Sequence, residues 1–411
     1  MKQLCGSVGY MKPVGQQWVE VLDAGQKLRI DKDAALAHQY FGLNDAISSV
    51  SPIVIGRGDT KSFLNEGTGH FKSDDIAARI RHSYENITAA NDFVIVEGTG
   101  HCGVGSVLGW SNARVAAALG IDVVLVANGG IGSTFDELSL NFIACRAENV
   151  KIAGIIVNKC SPEKVDEVAH YLQRAADRFG WKVPVLACVP FGNDLDKPSV
   201  MDLEHLFEGG FSTAARYDPS KSSSNLLAGP KCGFALGERS PVLLTGAEQR
   251  STRLSHFELV TSSLERLMQK LMGTTGSEFE RFTGKPAGAH DWHVCFVTHI
   301  SRADIIQGLL GHRALVATQE GRVVRSSGGL IIAGSPEHQL QPFLAEYIRV
   351  SGIPVLRSYM DMTKTMAAIQ NLTPKMQAED GQRVRHVIDL YSPYLESACH
   401  HILNDSSGPG S

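Results

Sequence analysis

Four short apolar runs dominate the first half of the chain, and stretches with helical periodicity separate them. The runs lie at residues 92–98, 121–130, 151–159 and 183–190. Each is rich in valine and isoleucine and is closed by Gly, Asn or Pro, as expected of strands buried on both faces of a parallel sheet. The helical stretches lie at residues 108–119, 134–146 and 162–179. This alternation predicts an α/β fold with a doubly wound parallel sheet and right-handed crossovers.

The pattern changes near residue 194. Little periodicity is left up to residue 230, and this stretch is rich in Gly, Ser and Pro, as linkers are. A second α/β unit follows, with a helix predicted at 255–272 and strands at 293–299, 314–318, 329–334 and 353–358. We therefore predict a first domain at 1–205, a linker at 206–230, a smaller second domain at 231–405 and a disordered tail at 406–411.

Composition narrows the class of protein. The 411 residues carry a formal net charge of −4, which favours neither nucleic acid nor a membrane as a partner. The eight cysteines are scattered, without a Cys-x-x-Cys pair, and predict reduced thiols in a cytoplasmic compartment. No apolar run reaches the ~18 residues that span a bilayer, and the first residues show no signal peptide. Organelle targeting stays open, because a targeting segment could precede Met1.

Glu97 is the first residue that suggests chemistry. It follows the apolar run Phe93–Val96, so its carboxylate is expected at the carboxyl end of a buried strand. A carboxylate is costly to bury there unless it serves something, and acids in this position commonly face Mg²⁺ in the ligand crevice. Capping of the next turn is the alternative.

The segment after Glu97 is rich in glycine. Gly98, Gly100 and Gly103 fit the pattern Gly-x-Gly-x-x-Gly between a strand and a helix, which suggests a dinucleotide site. That site also needs an acid at the end of the next strand, but Asp122 lies at its start and Asn128 at its end. We therefore favour a loop whose backbone amides face a phosphate or carboxylate, and keep dinucleotide binding as a weaker alternative.

Four further residues occupy positions where ligands are bound. Lys12 precedes a proline in an extended stretch and can direct its ammonium at the crevice. Asp33 opens a helical run, where it caps the helix or binds Mg²⁺. Asn158 ends a predicted strand and can hydrogen-bond a purine edge, while Pro190 ends the next strand and can contact a base.

Taken in order, these motifs resemble the dethiobiotin synthetase family of P-loop NTPase folds, over roughly residues 8–205. The resemblance implies ATP and Mg²⁺ as cofactors and gives each residue a role. Lys12 would be catalytic, Asp33 and Glu97 would bind the metal, and the nucleotide would contact Asn158, Pro190, Gly98 and Gly100.

The second half resembles a DRTGG-type domain at residues 298–305, 327–334 and 352–365. The pairing of the two modules is similar to the N-terminal regulatory part of long phosphotransacetylases and to free-standing ATP-binding relatives. This resemblance implies that the second domain takes a small ligand or a protein partner. It also implies a homodimer or a higher homo-oligomer.

One family feature is not found in this sequence. Members begin with a strand, a Gly-x-x-x-x-Gly-Lys-Thr-like loop and a helix, whereas Met1 falls near the end of that helix, so we expect an N-terminally truncated fold without a P-loop. We expect an ATP- or nucleotide-binding regulatory or sensor protein with negligible turnover. The alternatives are an ATP-dependent carboxylate-amine ligase that makes dethiobiotin and, more weakly, a dinucleotide-binding protein.

Overall fold

The computed structural model describes the chain in segments that form two compact units. They are residues 1, 4–23, 25–56, 58–65, 73–192, 195, 197–208, 243–245, 253–254, 256–267, 294–319, 329–374 and 376–406. The first unit holds the described residues up to Gly192 and again from Gln377 onward, and the second holds those between. No described helix is both long enough and apolar enough to cross a membrane.

The first unit combines nine strands with eight helices in the described segments. The strands are β1 (Val8–Met11), β2 (Val14–Gly15), β3 (Trp18–Asp23), β4 (Gln26–Asp31), β5 (Ile53–Val54), β6 (Phe93–Val96), β7 (Val123–Asn128), β8 (Ile152–Cys160) and β9 (Val185–Pro190). The helices are α1 (Lys32–Phe41), α2 (Ile47–Val50), α3 (Asp59–Leu64), α4 (Ser73–Thr88), α5 (Asn112–Leu119), α6 (Gly132–Ala147), α7 (Val165–Arg178) and, after the second unit, α12 (Gly381–Ser406). Two 3₁₀ turns at Ser106–Leu108 and Pro162–Lys164 precede α5 and α7.

Parallel pairing confirms the predicted α/β class, and all four predicted strands are present. β1 pairs with β6, and β7, β8 and β9 form a second parallel group in that order. The sheet is not continuous, because β6 and β7 each have a strand neighbour on one side only within the described segments. Ile95 on β6 and Val126 on β7 are 41% and 65% exposed.

Helix α5 supports both groups of strands. Its Ala113 and Ala116 pack in the core around β7 and β8, and its Val115 packs in the core beside β1. Small side chains on one face allow the close approach of a helix to a sheet. The crossover from β6 to β7 is therefore anchored on both sides.

The second unit is a five-stranded sheet with four helices among its described residues. Its strands are β10 (Leu243–Thr245), β11 (His256–Leu259), β12 (Val294–His299), β13 (Gly329–Ala333) and β14 (Val355–Ser358), in the order β10-β14-β13-β12-β11. All neighbours pair parallel except β10, which is antiparallel at the edge. The helices are α8 (Val200–Phe207), α9 (Ala303–Gln319), α10 (Pro342–Val350) and α11 (Met362–Gln370).

Two predicted elements of this unit are wrong. The strand predicted at 314–318 lies inside α9, because a short apolar run cannot be told from a buried helical segment by periodicity alone. The helix predicted at 255–272 begins instead as β11, which extends the parallel sheet beside β12. Helical conformation starts only at residue 264, and residues 268–272 lie outside the described segments.

The unit boundaries differ from the predicted ones at both ends. Helix α8 belongs to the second unit, where Val200, Leu203 and Phe207 pack with Leu254 and the strands of that sheet. Helix α12 belongs to the first unit, where it packs against β9. Most of the predicted linker and most of the predicted tail at 406–411 lie outside the described residues.

Candidate functional site

Lys12 is the centre of a charged cluster at the carboxyl end of β1. Its side chain is almost fully buried, and its Nζ lies 3.2 Å from Asp31 Oδ1 and 3.1 Å from Glu97 Oε1. The ammonium also contacts Asp33 Oδ2. The structure thus brings together three residues that the sequence singled out, Lys12, Asp33 and Glu97, and adds Asp31 to them.

Asp31 reaches Lys12 through the hairpin of β3 and β4. It is the last residue of β4 and caps α1 by accepting a hydrogen bond from the backbone N–H of Asp33 at 3.0 Å. Its Oδ2 accepts from the backbone N–H of Gln16 at 3.1 Å. Only glycine fits opposite it, because a Cβ at Gly15 would lie 2.4 Å from the Asp31 side chain. The capping role that the sequence suggested for this helix start therefore falls to Asp31, and Asp33 is left to face Lys12.

Tyr10 completes the cluster on the same strand. Its hydroxyl donates to Glu97 Oε2 at 2.5 Å, while Glu97 Oε1 accepts from Lys12. Burial, followed by the negative charge of Glu97 and the hydrogen bond to it, raises the pKa of the Tyr10 hydroxyl far above its ordinary value. Burial alone would lower the pKa of Lys12, but the hydrogen bond to Asp33 and the three carboxylate charges outweigh it and raise that pKa.

The charge balance of the cluster suits a divalent cation. Three carboxylates surround one ammonium, which leaves two formal negative charges at the edge of the sheet. Asp33 and Glu97 both touch the same Nζ, so their nearest oxygens are within roughly 6.5 Å of each other. Their side chains are about half exposed. Mg²⁺ is commonly held by only one or two carboxylates, with waters and phosphates as further ligands, so the donor set fits Mg²⁺.

A fuller metal cage is not found in the described segments. No group of three or more His, Cys, Asp or Glu side chains is arranged there to hold a metal by itself. Lys12 occupies the centre that such a cage would need. A cation at this site would therefore depend on Asp33, Glu97 and oxygens from another molecule.

The glycine-rich loop after Glu97 is held in place by two asparagines. Asn112 Nδ2 donates to the carbonyls of Thr99 and His101, both at 2.8 Å, and the backbone N–H of Cys102 donates to Asn141 Oδ1 at 2.8 Å. A Cβ at Gly98 would lie 2.9 Å from Asn112. The glycine at 98 thus serves close packing on Asn112.

Gly100 serves the path of the same loop. It has φ +67°, a conformation that L side chains rarely adopt. This loop is built by internal hydrogen bonds at the end of β6, next to the charged cluster. Whether its amides bind a ligand stays a prediction.

Asn158 and Pro190 lie at neighbouring strand ends. β8 and β9 pair in parallel with Cys160 opposite Pro190, two residues beyond Asn158. Asn158 Oδ1 accepts from the backbone N–H of Lys159 at 2.8 Å. Lys159 has φ +58°, which turns the chain sharply at this point. The two residues lie near the ends of adjacent strands, and their role as a base pocket stays a prediction.

Sequence reasoning missed Tyr10, Asp31 as a partner of Lys12, and both asparagines of the loop. Tyr10 is two residues before Lys12 on one strand, so the alternation of side chains could have placed both on the same face. A cavity of about 560 Å³ lies elsewhere, at the amino end of β1, where Ser7, Asp45 and Asn91 are among its lining residues. None of the predicted site residues lines that cavity.

Comparisons with known proteins give relatives for the first part of the chain. A family described as an AAA domain matches residues 1–199. The ATP-dependent dethiobiotin synthetase BioD of Aromatoleum aromaticum is 35% identical over 184 residues, which are 44% of this chain and 75% of that protein. BioD of Anaeromyxobacter dehalogenans (strain 2CP-1) is 31% identical over 118 residues, 29% of this chain and 52% of that protein.

A second kind of relative extends farther along the chain. The phosphate acetyltransferase of Synechocystis sp. is 20% identical over 330 residues, 79% of this chain but only 38% of that protein. The chain therefore spans well under half of that relative and about half of the Anaeromyxobacter enzyme. With three quarters of the Aromatoleum protein matched at 35% identity, the chain belongs to the dethiobiotin synthetase-like family of P-loop NTPase-type domains, with phosphate acetyltransferases among its relatives.

Proposed function

We propose that this protein binds ATP with Mg²⁺ through its first unit and acts as a regulatory or sensor protein. The observation that carries the proposal is the cluster of Lys12 with Asp31, Asp33 and Glu97 at the carboxyl edge of the parallel strands. Ligands of open α/β sheets bind at this edge. Relatives named as ATP-dependent enzymes support ATP as the nucleotide.

Each residue of the cluster has a different role in this proposal. Asp33 and Glu97 would hold Mg²⁺, which neutralises charge on the phosphates of a bound nucleotide. Asp31 and Tyr10 keep Lys12 and Glu97 in position through their hydrogen bonds. Asn158 would donate a side-chain amide N–H to the purine edge, and Pro190 would pack against the base.

Binding is favoured over turnover because one element of phosphoryl transfer is not found in the sequence. The 411 residues contain no Gly-x-x-x-x-Gly-Lys-Ser/Thr segment. Such a loop surrounds the phosphates with backbone amides and adds a lysine across the β- and γ-phosphates. Phosphoryl transfer relies on that positioning, and the loss of one preorganised donor alone typically costs ~10²-fold or more in rate. We therefore expect negligible ATP turnover by this chain.

An ATP-dependent carboxylate-amine ligase is the second candidate. The match to the Aromatoleum synthetase favours it, because that protein is covered over 75% of its length. Lys12 would then contact the reacting carboxylate or phosphate directly. The regulatory reading is preferred because the phosphate acetyltransferase match continues beyond the synthetase-like part.

Calorimetric titration of the whole chain tests the proposal. We expect ATP to bind in the presence of Mg²⁺, more tightly than GTP, and Glu97→Gln to weaken Mg²⁺-dependent binding by about tenfold, or ~1.4 kcal/mol. Glu20→Gln is the matched control, since Glu20 is similarly exposed and forms its ion pair with surface Lys27.

Base selectivity and turnover are measured on the same samples. Asn158→Ala should narrow the difference between ATP and GTP, whereas Asn86→Ala on the exposed face of α4 should not. No saturable binding of any nucleotide would refute the proposal. ATP hydrolysis stimulated by a diamino carboxylic acid would support the ligase instead.

A further inference from the structure

The carboxyl edge of the sheet in the second unit gathers imidazole and hydroxyl groups from two adjacent loops. His299 ends β12 and Ser301 follows it, while Ser335 and His338 follow β13. The rings of His299 and His338 meet edge to face with their centroids 5.3 Å apart. Ser301 and His338 are exposed, and His299 and Ser335 are half-buried, so a solute can reach the group. None of these residues takes part in the proposed nucleotide site.

Hydrogen bonds determine which ring nitrogen of His299 carries the proton and can act as a donor. The backbone N–H of Ser301 donates to His299 Nδ1 at 3.2 Å, and the Ser301 hydroxyl lies 2.7 Å from the same nitrogen. A backbone N–H is always a donor, so Nδ1 carries a lone pair, and neutral His299 holds its proton on Nε2. A nitrogen that carries a proton is a poor metal ligand and a good donor to an oxyanion.

Gly334 packs close to the residues that end and follow β12. A Cβ at Gly334 would lie 2.8 Å from Ile300 Cγ2 and 3.4 Å from His299 Nε2, and the residue has φ +156°, in the region that favours glycine. On the same loop, the Ser335 hydroxyl and His338 Nδ1 are hydrogen-bonded at 2.8 Å. Polar groups of two loops therefore lie together at this edge.

A buried positive charge lies beneath these loops. Arg357 on β14 is 3% exposed, and its guanidinium donates to the carbonyls of Ile332 at 3.0 Å, Ser335 at 3.2 Å and His338 at 3.3 Å, and also to Ser358. No carboxylate lies within ion-pair distance of it in the described part of the chain. Carbonyl dipoles solvate the charge but do not cancel it.

Two acids near this edge are paired. Asp304 forms an ion pair with Arg302 at 2.7 Å, and Asp361 forms one with Lys364 at 3.2 Å. A third acid, Glu337, lies on the loop after β13 and is exposed, where water and salt screen its charge. The Arg357 charge is buried and has no carboxylate in contact among the described residues, and a buried cation below hydrogen-bond donors favours a bound anion.

We propose that this edge binds the oxyanion of a small molecule, with His299 Nε2 and the Ser335 hydroxyl as direct donors, the latter accepting its own hydrogen bond from His338 Nδ1. Ser301 is a positioning residue, because its hydroxyl and its backbone N–H both donate to His299 Nδ1 and leave the ring proton on Nε2. Arg357 acts as a positioning residue, because it holds the loop of Ser335 and His338 through two of its carbonyls. Phosphoryl and carboxylate groups share the chemistry that this site recognises. The proposal does not depend on nucleotide binding by the first unit.

Titration of the full chain with inorganic phosphate tests this site, with histidine side chains followed by nuclear magnetic resonance at constant ionic strength. We expect saturable shifts of the His299 and His338 imidazole signals and no shift of His170, which lies exposed on α7 of the first unit. His299→Gln and Ser335→Ala should each weaken phosphate binding by about tenfold, the effect of one hydrogen bond to a charged group. His170→Gln should leave it unchanged.

Two results would overturn the proposal. One is the absence of saturation, or equal shifts of all histidines, since either would indicate general ionic screening. The other is unaltered phosphate binding in Ser335→Ala, a variant that leaves the His299 ring and its hydrogen bonds from Ser301 in place. A parallel titration with acetate defines the class, because saturation by both anions indicates an oxyanion site that accepts carboxylates, and saturation by phosphate alone indicates a phosphoryl site.

Discussion

Each of the two units buries one cation at the carboxyl end of a parallel strand, and the two cations have opposite surroundings. In the first unit, Lys12 contacts three carboxylates. In the second, Arg357 donates to four backbone carbonyls and has no acidic partner among the described residues. The two edges share a topology but differ in the charge that they leave uncompensated.

The difference shows that the side chains around the buried cation, rather than the strand order, set the ligand class of an edge. Around Lys12 the carboxylates exceed the ammonium and leave a negative balance that suits a metal ion bound with a nucleotide. Around Arg357 the carbonyls satisfy the guanidinium donors without neutralising the charge, which leaves a buried cation without a direct counter-ion among the described residues. Ligand position is thus a property of the fold, while ligand charge is a property of a few residues.

The largest effect is expected when the cation is removed from the acidic cluster. Lys12→Met leaves Asp31, which is 2% exposed, without its counter-ion, and breaking a buried pair in this way costs about 3–5 kcal/mol. Denaturant unfolding followed by tryptophan fluorescence measures it, since Trp18, Trp110 and Trp181 all belong to the first unit. Lys27→Met, in the exposed pair with Glu20, should cost less than about 1 kcal/mol. Equal losses in the two variants would contradict a buried, coupled cluster.

A smaller effect is expected in the second unit. Arg357→Met removes hydrogen bonds to the loop of Ser335 and His338, which lowers stability. It also removes a desolvated charge that has no acidic partner among the described residues, which partly offsets that loss. The net loss should be about 1–3 kcal/mol in thermal unfolding, the cost of leaving buried acceptors unsatisfied. Arg349→Met, in an exposed pair with Glu346, is the control and should be nearly neutral. A loss of unfolding free energy larger than that of Lys12→Met would contradict this ranking. It would mean that backbone carbonyls stabilise the buried Arg357 more than carboxylates stabilise the buried Lys12.

The smallest effect concerns alkaline pH and separates the two edges by titration. The folded-state pKa values of Tyr10 and Lys12 are raised, so both groups keep their protons in the folded protein where the unfolded chain loses them. Their stabilisation is complete below about pH 10 and falls as pH rises above that value, by ~1.4 kcal/mol per pH unit for each group. Tyr10→Phe should make this decline shallower.

Unfolding free energies measured between neutral and strongly alkaline pH check the slope. Tyr171→Phe, on the exposed face of α7, serves as the matched control and should keep the slope of the unaltered protein. A Tyr10→Phe profile that overlays the Tyr171→Phe profile would show that the Tyr10 hydroxyl is not coupled to Glu97. Arg357 offers no counterpart, because burial lowers rather than raises the pKa of its guanidinium.

The first unit was predicted more accurately than the second. Its apolar runs are bounded by Gly, Asn or Pro, so β6, β7, β8 and β9 were found with only small errors at their ends. In the second unit the segment at 314–318 was assigned as a strand although it continues α9. Gly308 and Gly311 lie between the start of α9 and that segment without ending the helix, and the apolar residues of the segment suit either structure.

The candidate site was predictable to the extent that strand ends define it. Lys12 follows β1 and Glu97 follows β6, and parallel neighbours bring such ends to one edge. Asp31 could not be assigned in this way, because it reaches Lys12 through an antiparallel hairpin whose pairing with the site is not encoded in strand order. The sequence also left open which acid caps α1 and which contacts Lys12. The position and direction of α1 in the structure assign capping to Asp31 and the ion pair to Asp33.

The sequence by itself determined the α/β class, the family and the residue types at the strand ends, because periodicity and local motifs are short-range properties of the chain. Tertiary structure decided which charges meet. The surplus of acid around Lys12 and the carbonyl surroundings of Arg357 depend on contacts between residues that are distant in sequence, such as Lys12 with Glu97 and Arg357 with the loop after β13. Ion pairs and hydrogen bonds form only between atoms a few ångströms apart, so the folded arrangement decides which charges are paired.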